Sequence, residues 1–353
     1  MKSNPMIVGA RAVDVGYFNV KHTLAPSPAH GGRAGVAVFP AVAPVLKFGI
    51  ARGIDGTSQP EGCVVPIGGV TYFVGPGAPQ RGSGVEARIV GEDYSASDKY
   101  LALLRGALHY MAQDAQAGDQ LVIRRLALGL PLNTYFDACE QLSMRAVGEH
   151  VIGDADTQHT VTVEKVRVIV QPQGAMINFG YRNGGEALDG LTLVVDVGGG
   201  TLDWYLSEGT TPHWERSGAY PKAMLACAWA VADRINPRWR NQTTIIGRID
   251  KAIREEHEFF TVQAVQYPLA EYRPAVEQVL DEALDQMVSS VGSLNDVDHI
   301  LFTGGGASVF QRHLHQRYPL LRKITRMDDD PVFSNVRGFQ VVAENDLASI
   351  SGW

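Results

Sequence analysis

Apolar runs stop at glycine in three places along the chain. Val13-Asp14-Val15-Gly16 leads through Tyr17 and Phe18 into Asn19-Val20-Lys21. Leu193-Val194-Val195-Asp196-Val197 leads through Gly198, Gly199 and Gly200 into Thr201-Leu202-Asp203-Trp204-Tyr205-Leu206. Both patterns predict two strands joined by a tight turn. Ile300-Leu301-Phe302-Thr303 instead leads through Gly304, Gly305 and Gly306 to Ala307, which predicts a strand, glycines and then a helix.

Between these turns the apolar period alternates between two and 3.6. Tyr100, Leu103, Leu104, Ala107, Leu108 and Met111 fall on one helical face, which reads as core, and Ser95 to Asp98 offers a capping box before it. Leu121 to Leu128 predicts a strand ending at Gly129-Leu130-Pro131, and Asn133 is placed to cap a helix through Phe136, Leu142 and Met144. Val161, Val163, Val166, Val168 and Val170 mark strands that deliver Pro172-Gln173 to a strand's C-terminal end, where α/β folds place ligands. Helices are predicted over 221–235, 244–260 and 268–291, with a final one starting at Ser334. Strand and helix alternation predicts an α/β fold.

The bulk numbers narrow the class. At 353 residues, with 45% hydrophobic and 20% charged residues, the chain is long enough for two packed domains. No apolar run reaches the ~20 residues of a membrane span. Met1 to Pro5 leads straight into a strand with no signal-peptide core, so a cytoplasmic location without a membrane is expected. Cys63, Cys139 and Cys227 are scattered and odd in number, against a disulfide framework and in keeping with a reducing compartment. A net charge of −7 argues against broad direct DNA binding, although Arg312 to Arg326 is locally basic.

The glycine turns carry the candidate chemistry. Successive backbone N–H groups in such a turn can converge on an anion, and Thr201 adds a hydroxyl. Asp196 and Asp203 would repel a phosphate directly, so they point to an intervening hydrated divalent cation. The same stretch also reads as an ordinary hairpin whose Asp residues satisfy turn amides. A second copy favours the first reading, because Asp14-Val15-Gly16 repeats the pattern and Lys21 returns as a phosphate cation. Two such hairpins imply two similar domains facing one cleft.

In this order the motifs resemble those of the actin/Hsp70/sugar-kinase ATPase superfamily. Asp14–Lys21 resembles its first phosphate motif, Asp196–Asp203 its second and Thr303–Ala307 its adenosine motif. Gly129-Leu130-Pro131 through Pro172-Gln173-Gly174-Ala175, and Phe333 to Phe339, resemble its connecting motifs. Within the superfamily the nearest likeness is to bacterial plasmid-segregation actins of the ParM/StbA type, including the D proteins of PRTRC plasmid cassettes. Asp14-Val15-Gly16-Tyr17-Phe18-Asn19-Val20-Lys21 and Asn335-Val336-Arg337-Gly338-Phe339 carry that likeness. Tyr17 departs from it, standing where many relatives have a small hydroxyl residue.

The resemblance implies two ribonuclease-H-like actin-type domains around a nucleotide cleft. Their expected bounds are 1–182, with a β-rich insertion at about 30–92, and 183–345, with a helical insertion at about 216–295; 346–353 is a tail. It implies Mg-ATP held between them, Asp14 and Asp196 binding Mg2+ through water, and Gln173 orienting the attacking water. Gly16, Asn19, Lys21, Gly199, Gly200 and Thr201 would donate to phosphate oxygens, and Tyr17 (by its backbone), Gly198 and Asp203 complete the expected nucleotide-binding set. Gly304, Gly305 and Gly306 would let the base approach the backbone. Lys251 and Glu255 would reach ribose or base, although their helix also reads as a solvated charged face. The expected activity is ATP hydrolysis coupled to nucleotide-dependent filaments for plasmid DNA segregation, with a DNA-bound adaptor protein as partner. A small-molecule kinase of the same superfamily and a non-filamentous nucleotide switch are the alternatives; a kinase usually needs an Asp base where Gln173 stands.

Overall fold

The structure, a computed structural model, describes residues 4–28, 32–46, 60–82, 91–154, 157–183 and 189–351. Its Cα atoms cluster into two compact units. Unit 1 comprises Met1–Leu130, Thr134–Ile169 and Phe339–Trp353; unit 2 comprises Pro131–Asn133 and Val170–Gly338.

Unit 1 begins with the first predicted hairpin, β1 (Met6–Val15) and β2 (Asn19–Pro26), extended by β3 (Ala34–Pro40). A separate hairpin, β4 (Cys63–Ile67) and β5 (Val70–Val74), turns at Gly68-Gly69, where both φ angles are positive. A short α1 (Ala78–Arg81) follows. α2 (Asp98–Asp114) then buries all six residues of the predicted face. Its cap is Ser97, whose Oγ accepts from the Tyr100 N–H at 3.1 Å. The expected box at Ser95 does not form, because Glu92–Ala96 is already wound into a 3-10 turn. Burying Leu104, Leu108 and Met111 contributes roughly 1.5–3 kcal/mol each. β6 (Gln120–Leu130), α3 (Leu132–Ala146), β7 (Gly148–Ile152), β8 (His159–Val163) and β9 (Val166–Val170) complete the set. The helix α3 starts before Asn133, so that residue lies inside it rather than capping it. The sheet order is β3-β2-β1-β6-β8-β7, with β1, β6 and β8 parallel and β9 paired to β6.

Unit 2 begins with α4 (Gln171–Arg182). The second hairpin, β10 (Leu191–Val197) and β11 (Leu202–Glu208), is flanked by two short strands, β12 (Thr211–Pro212) and β13 (Gly218–Tyr220). Two helices follow, α5 (Met224–Ile235) and α6 (Thr243–Arg254), separated by a 3-10 turn that buries Trp239. The helix expected to reach residue 260 stops at Arg254. Beyond it β14 (Phe259–Val262) pairs with β15 (Val265–Pro268) around Gln263 and Ala264, both at positive φ. α7 (Arg273–Val291), β16 (His299–Thr303), α8 (Ala307–Arg317) and β17 (Thr325–Met327) follow. The sheet order is β12-β11-β10-β16-β17, with β13 on β11 and with β10, β16 and β17 parallel.

α9 (Ser334–Ser351) belongs to both units. In unit 1 its Gln340 accepts from Thr23 Oγ1 at 2.7 Å and donates to the Ala10 carbonyl at 3.2 Å. The same local plan therefore occurs twice: an antiparallel hairpin whose first strand also pairs in parallel with a later strand, as β2-β1-β6 and as β11-β10-β16.

Candidate functional site

The two hairpins close in the same way. In the first, Val15 pairs with Val20, Asp14 with Lys21, and Gly16 N–H donates to the Asn19 carbonyl at 3.1 Å. In the second, Val197 pairs with Leu202, Asp196 with Asp203, and Gly198 N–H donates to the Thr201 carbonyl at 3.0 Å. Each turn thus has four residues and an aspartate two positions before its first glycine. What differs is the residue opposite that aspartate: a lysine in one hairpin, a second aspartate in the other.

In unit 1, Asp14 is buried, and Lys21 Nζ sits 2.8 Å from its Oδ2. Aromatic packing fixes the turn beside this pair. Tyr17 stacks on Tyr94 with centroids 4.9 Å apart, its hydroxyl donates to the Gly91 carbonyl at 3.4 Å, and Tyr94 donates to the Gly16 carbonyl at 3.4 Å. The ring at position 17 therefore braces the turn. Tyr94 in turn meets Tyr100 edge-on at 5.4 Å. Burial holds the Tyr100 phenol well above its ordinary pKa, with Tyr94, Asp14 and Tyr17 adding to the shift. Tyr94 has no signal in the sequence, since its role rests on a contact 78 positions away.

In unit 2, the central strands bring Asp196, Asp203 and Thr303 into register across β11-β10-β16. Asp196 is buried, and Asn335 Nδ2 donates to its Oδ2 at 2.6 Å. Asp203 Oδ1 accepts from the Leu132 N–H at 2.9 Å. Neither Asn335 nor the Leu132 amide stood out in the sequence as a site group. The third glycine turn lies against the second: Gly306 N–H donates to the Val197 carbonyl at 3.1 Å, and Gly304 has φ +86°. A Cβ on Gly304 would fall 2.4 Å from the Val197 carbonyl oxygen and 2.5 Å from Asp196 Oδ1, so only glycine fits. Leu225, in α5, donates its N–H to the Gly199 carbonyl at 2.8 Å, tying that helix to the turn.

Gln173 occupies the first turn of α4, directly after β9. The following Gly174 is pressed against α9, where a Cβ on Gly338 would lie 1.8 Å from its carbonyl oxygen. Lys251, near the end of α6, and Glu255, just beyond it, form an exposed pair at 3.8 Å. The structure thus gathers Asp196, Gly198 to Thr201, Asp203 and Gly304 to Gly306 in unit 2. It gathers Asp14, Gly16, Tyr17, Asn19 and Lys21 in unit 1, while Lys251 and Glu255 pair with each other.

The donor chemistry suits a hydrated hard cation and an anion. Mg2+ keeps most of its water and takes one or two carboxylates plus phosphate oxygens, and each turn offers a buried aspartate beside glycine amides. Among the described residues no three His, Cys, Asp or Glu side chains form a metal cage.

Two family models match the chain in succession. The N-terminal domain of actin-like proteins matches residues 12–174, and the C-terminal domain of the archaeal MreB-like actin homologue matches residues 194–316. Among solved structures, the apo psk41 parM protein is similar at 18% identity over 97% of this chain and 98% of that one, with a TM-score of 0.68. An archaeal actin homolog in complex with ADP is similar at 17% identity over 96% and 100%, TM-score 0.68. A ParM from a 15-stranded filament of Clostridium botulinum is similar at 18% identity over 95% and 99%, TM-score 0.72. At these identities the likeness establishes the fold. Among curated proteins no sequence matches significantly.

Proposed function

Because this chain belongs to the actin-like proteins, we propose that it is an ATPase that binds Mg-ATP through both hairpin turns and assembles into nucleotide-dependent filaments. The observation that carries the reading is the repeated turn, with the same register, the same closing hydrogen bond and the same buried aspartate in two different units.

In this reading the amides of Tyr17, Asn19, Gly199, Gly200 and Thr201, with the Thr201 hydroxyl, donate to phosphate oxygens, while the Gly16 and Gly198 amides close their turns. Lys21 supplies positive charge from a position already fixed by Asp14. Asp14 and Asp196 accept from metal-bound water, Asp196 being held in orientation by Asn335. Bound Mg2+ neutralises phosphate charge and fixes the phosphate geometry. Asp203, with Oδ1 committed to the Leu132 amide, fixes the far side of its hairpin. The open face at Gly305 receives the base, and Lys251 with Glu255 contacts ribose or base. Gln173 orients the attacking water by hydrogen bonds from a neutral amide. Phosphoryl transfer rests mainly on positioning and charge stabilisation, which this set supplies.

Assembly rests on the likeness to a ParM solved as a 15-stranded filament. Head-to-tail contacts between identical subunits propagate unless their rotation closes a ring. The biological role that follows is plasmid DNA segregation in the cytoplasm, with a separate DNA-bound adaptor protein linking filament to DNA. Gln173 in place of an acidic base supports hydrolysis over small-molecule phosphorylation.

The test is phosphate release together with pelleting and light scattering, across a protein concentration series, with Mg-ATP, Mg-ADP and no nucleotide. Phosphate release with ATP-favoured assembly supports the proposal. Hydrolysis by a protein that stays monomeric throughout points to a soluble switch. Phosphate transfer to an added sugar points to a kinase.

A further inference from the structure

Unit 1 contains a pair of histidines that the nucleotide reading does not use. His109, on α2, and His159, the first residue of β8, meet across 50 positions of sequence. With Gln113, Gln116 and Asp119 they line a pocket of about 480 Å3. His109 Nδ1 and His159 Nε2 are 3.3 Å apart. His159 Nδ1 lies 3.3 Å from the Thr157 carbonyl oxygen. A carbonyl only accepts, so Nδ1 carries a proton and Nε2 is the nitrogen left to bind.

The spacing suits chelation. The ring centroids are 5.0 Å apart with planes tilted by 45°. That is closer than two rings joined end to end through a straight N–H···N contact of this length, so the ring axes meet at an angle. Two zinc–nitrogen bonds of about 2.05 Å ending on nitrogens 3.3 Å apart subtend about 107°, close to tetrahedral. The Thr157 carbonyl is the kind of partner that orients a metal-bound imidazole.

We propose that His109 Nδ1 and His159 Nε2 form a two-histidine site for a divalent transition-metal ion of the Zn2+ class. In the bound form His109 carries its proton on Nε2 and His159 keeps its own on Nδ1. Because no third protein ligand completes a cage among the described residues, water fills the remaining positions and the ion exchanges. Imidazole nitrogen selects Zn2+, Cu2+ or Ni2+ over Mg2+. The site is therefore chemically distinct from the one proposed for Mg-ATP.

The experiment titrates the metal-free full chain, without Mg2+ or nucleotide, with Zn2+ by calorimetry and Co2+ by visible absorption. His109→Gln and His159→Gln are run in parallel, with folding checked by circular dichroism. The wild type should bind one more equivalent than either variant, or bind at least about tenfold more tightly, and only it should give a tetrahedral Co2+ spectrum. Zn2+ should raise the melting temperature of the wild type alone, since the two ligands converge only in the folded chain. Equal stoichiometry and affinity in all three proteins overturns the site and leaves a plain His–His hydrogen bond. If a variant fails to fold, substoichiometric Cu2+ on the wild type decides: the His109 and His159 resonances should broaden first. Broadening spread evenly over the ten histidines refutes the proposal.

Discussion

Asp196 and Asn335 are 139 positions apart in sequence, yet Asn335 Nδ2 donates to Asp196 Oδ2 at 2.6 Å inside unit 2. The bond fixes the carboxylate so that Oδ1 lies against the backbone of Gly304. Replacing Asn335 by Asp would set two carboxylates against each other, and like charges at that spacing force one to hold a proton. Asn335→Asp should therefore lose about 2–4 kcal/mol of stability at neutral pH. The raised carboxyl pKa makes that deficit largest above it and smaller as the pH falls through it. Urea unfolding at pH 7.5 and 5.0 checks this; a deficit that grows on acidification would contradict it.

Gly304 and Gly305 separate folding from binding. Alanine at 304 brings its Cβ against backbone oxygen and holds φ +86°, a strain of about 1–3 kcal/mol before the clash is counted. At 305, an exposed position, an added Cβ meets nothing within 4 Å. Gly304→Ala should lower the unfolding midpoint clearly. Gly305→Ala should stay within about 0.5 kcal/mol of wild type yet weaken nucleotide binding, because the proposed base approaches there. Thermal unfolding and fluorescent-nucleotide titration of both variants provide the measurement.

His22 sets a pH dependence. It is buried against Phe39 and Tyr110, and neither ring nitrogen has a hydrogen-bond partner among the described residues. Burial lowers its pKa to about 4 from the ordinary 6.5. Between those values the unfolded chain holds the proton and the folded chain does not, so stability is full above 6.5 and is lost as the pH falls toward 4. At 1.36 kcal/mol per pH unit the loss is roughly 3 kcal/mol. In His22→Leu this contribution should vanish, so the stability gap between wild type and variant should shift by that amount between pH 7.5 and 4. A constant gap would mean that the folded and unfolded chains protonate His22 alike and would contradict the effect of burial.

Gln173→Ala addresses hydrolysis alone. Binding should be retained, and phosphate release at saturating Mg-ATP should slow tenfold or more, a barrier rise above about 1.4 kcal/mol. Release near the wild-type rate would remove Gln173 from the mechanism.

Much of the fold was legible because it is written in local pattern. The glycine turns announced both hairpins, and the period of Tyr100 to Met111 gave the buried face of α2 residue by residue. Other features depend on partners the sequence does not display. The β14–β15 hairpin turns at Gln263 and Ala264 rather than at an Asn-Gly pair, so nothing marks it and the helix expected over 244–260 runs into its first two residues. Ser97 rather than Ser95 caps α2 because the preceding residues are spent on a 3-10 turn. At the candidate site the motif residues were visible, Asn335 among them, but the contacts that hold them were not. Asn335, the Leu132 amide and Tyr94 act through contacts 139, 71 and 78 positions distant.

The central claim is that two hairpins built alike serve one Mg-nucleotide. Lys21 and Asp196 lie in different units and make no shared claim on the fold. The most direct measurement is calorimetric titration of Mg-ATP into wild type, Lys21→Met and Asp196→Ala, each verified as folded. The account predicts one ATP bound per wild-type chain, dependent on Mg2+, with affinity reduced at least tenfold, about 1.4 kcal/mol, in both variants. Unchanged affinity in either variant would return that hairpin to a purely structural turn and contradict the account.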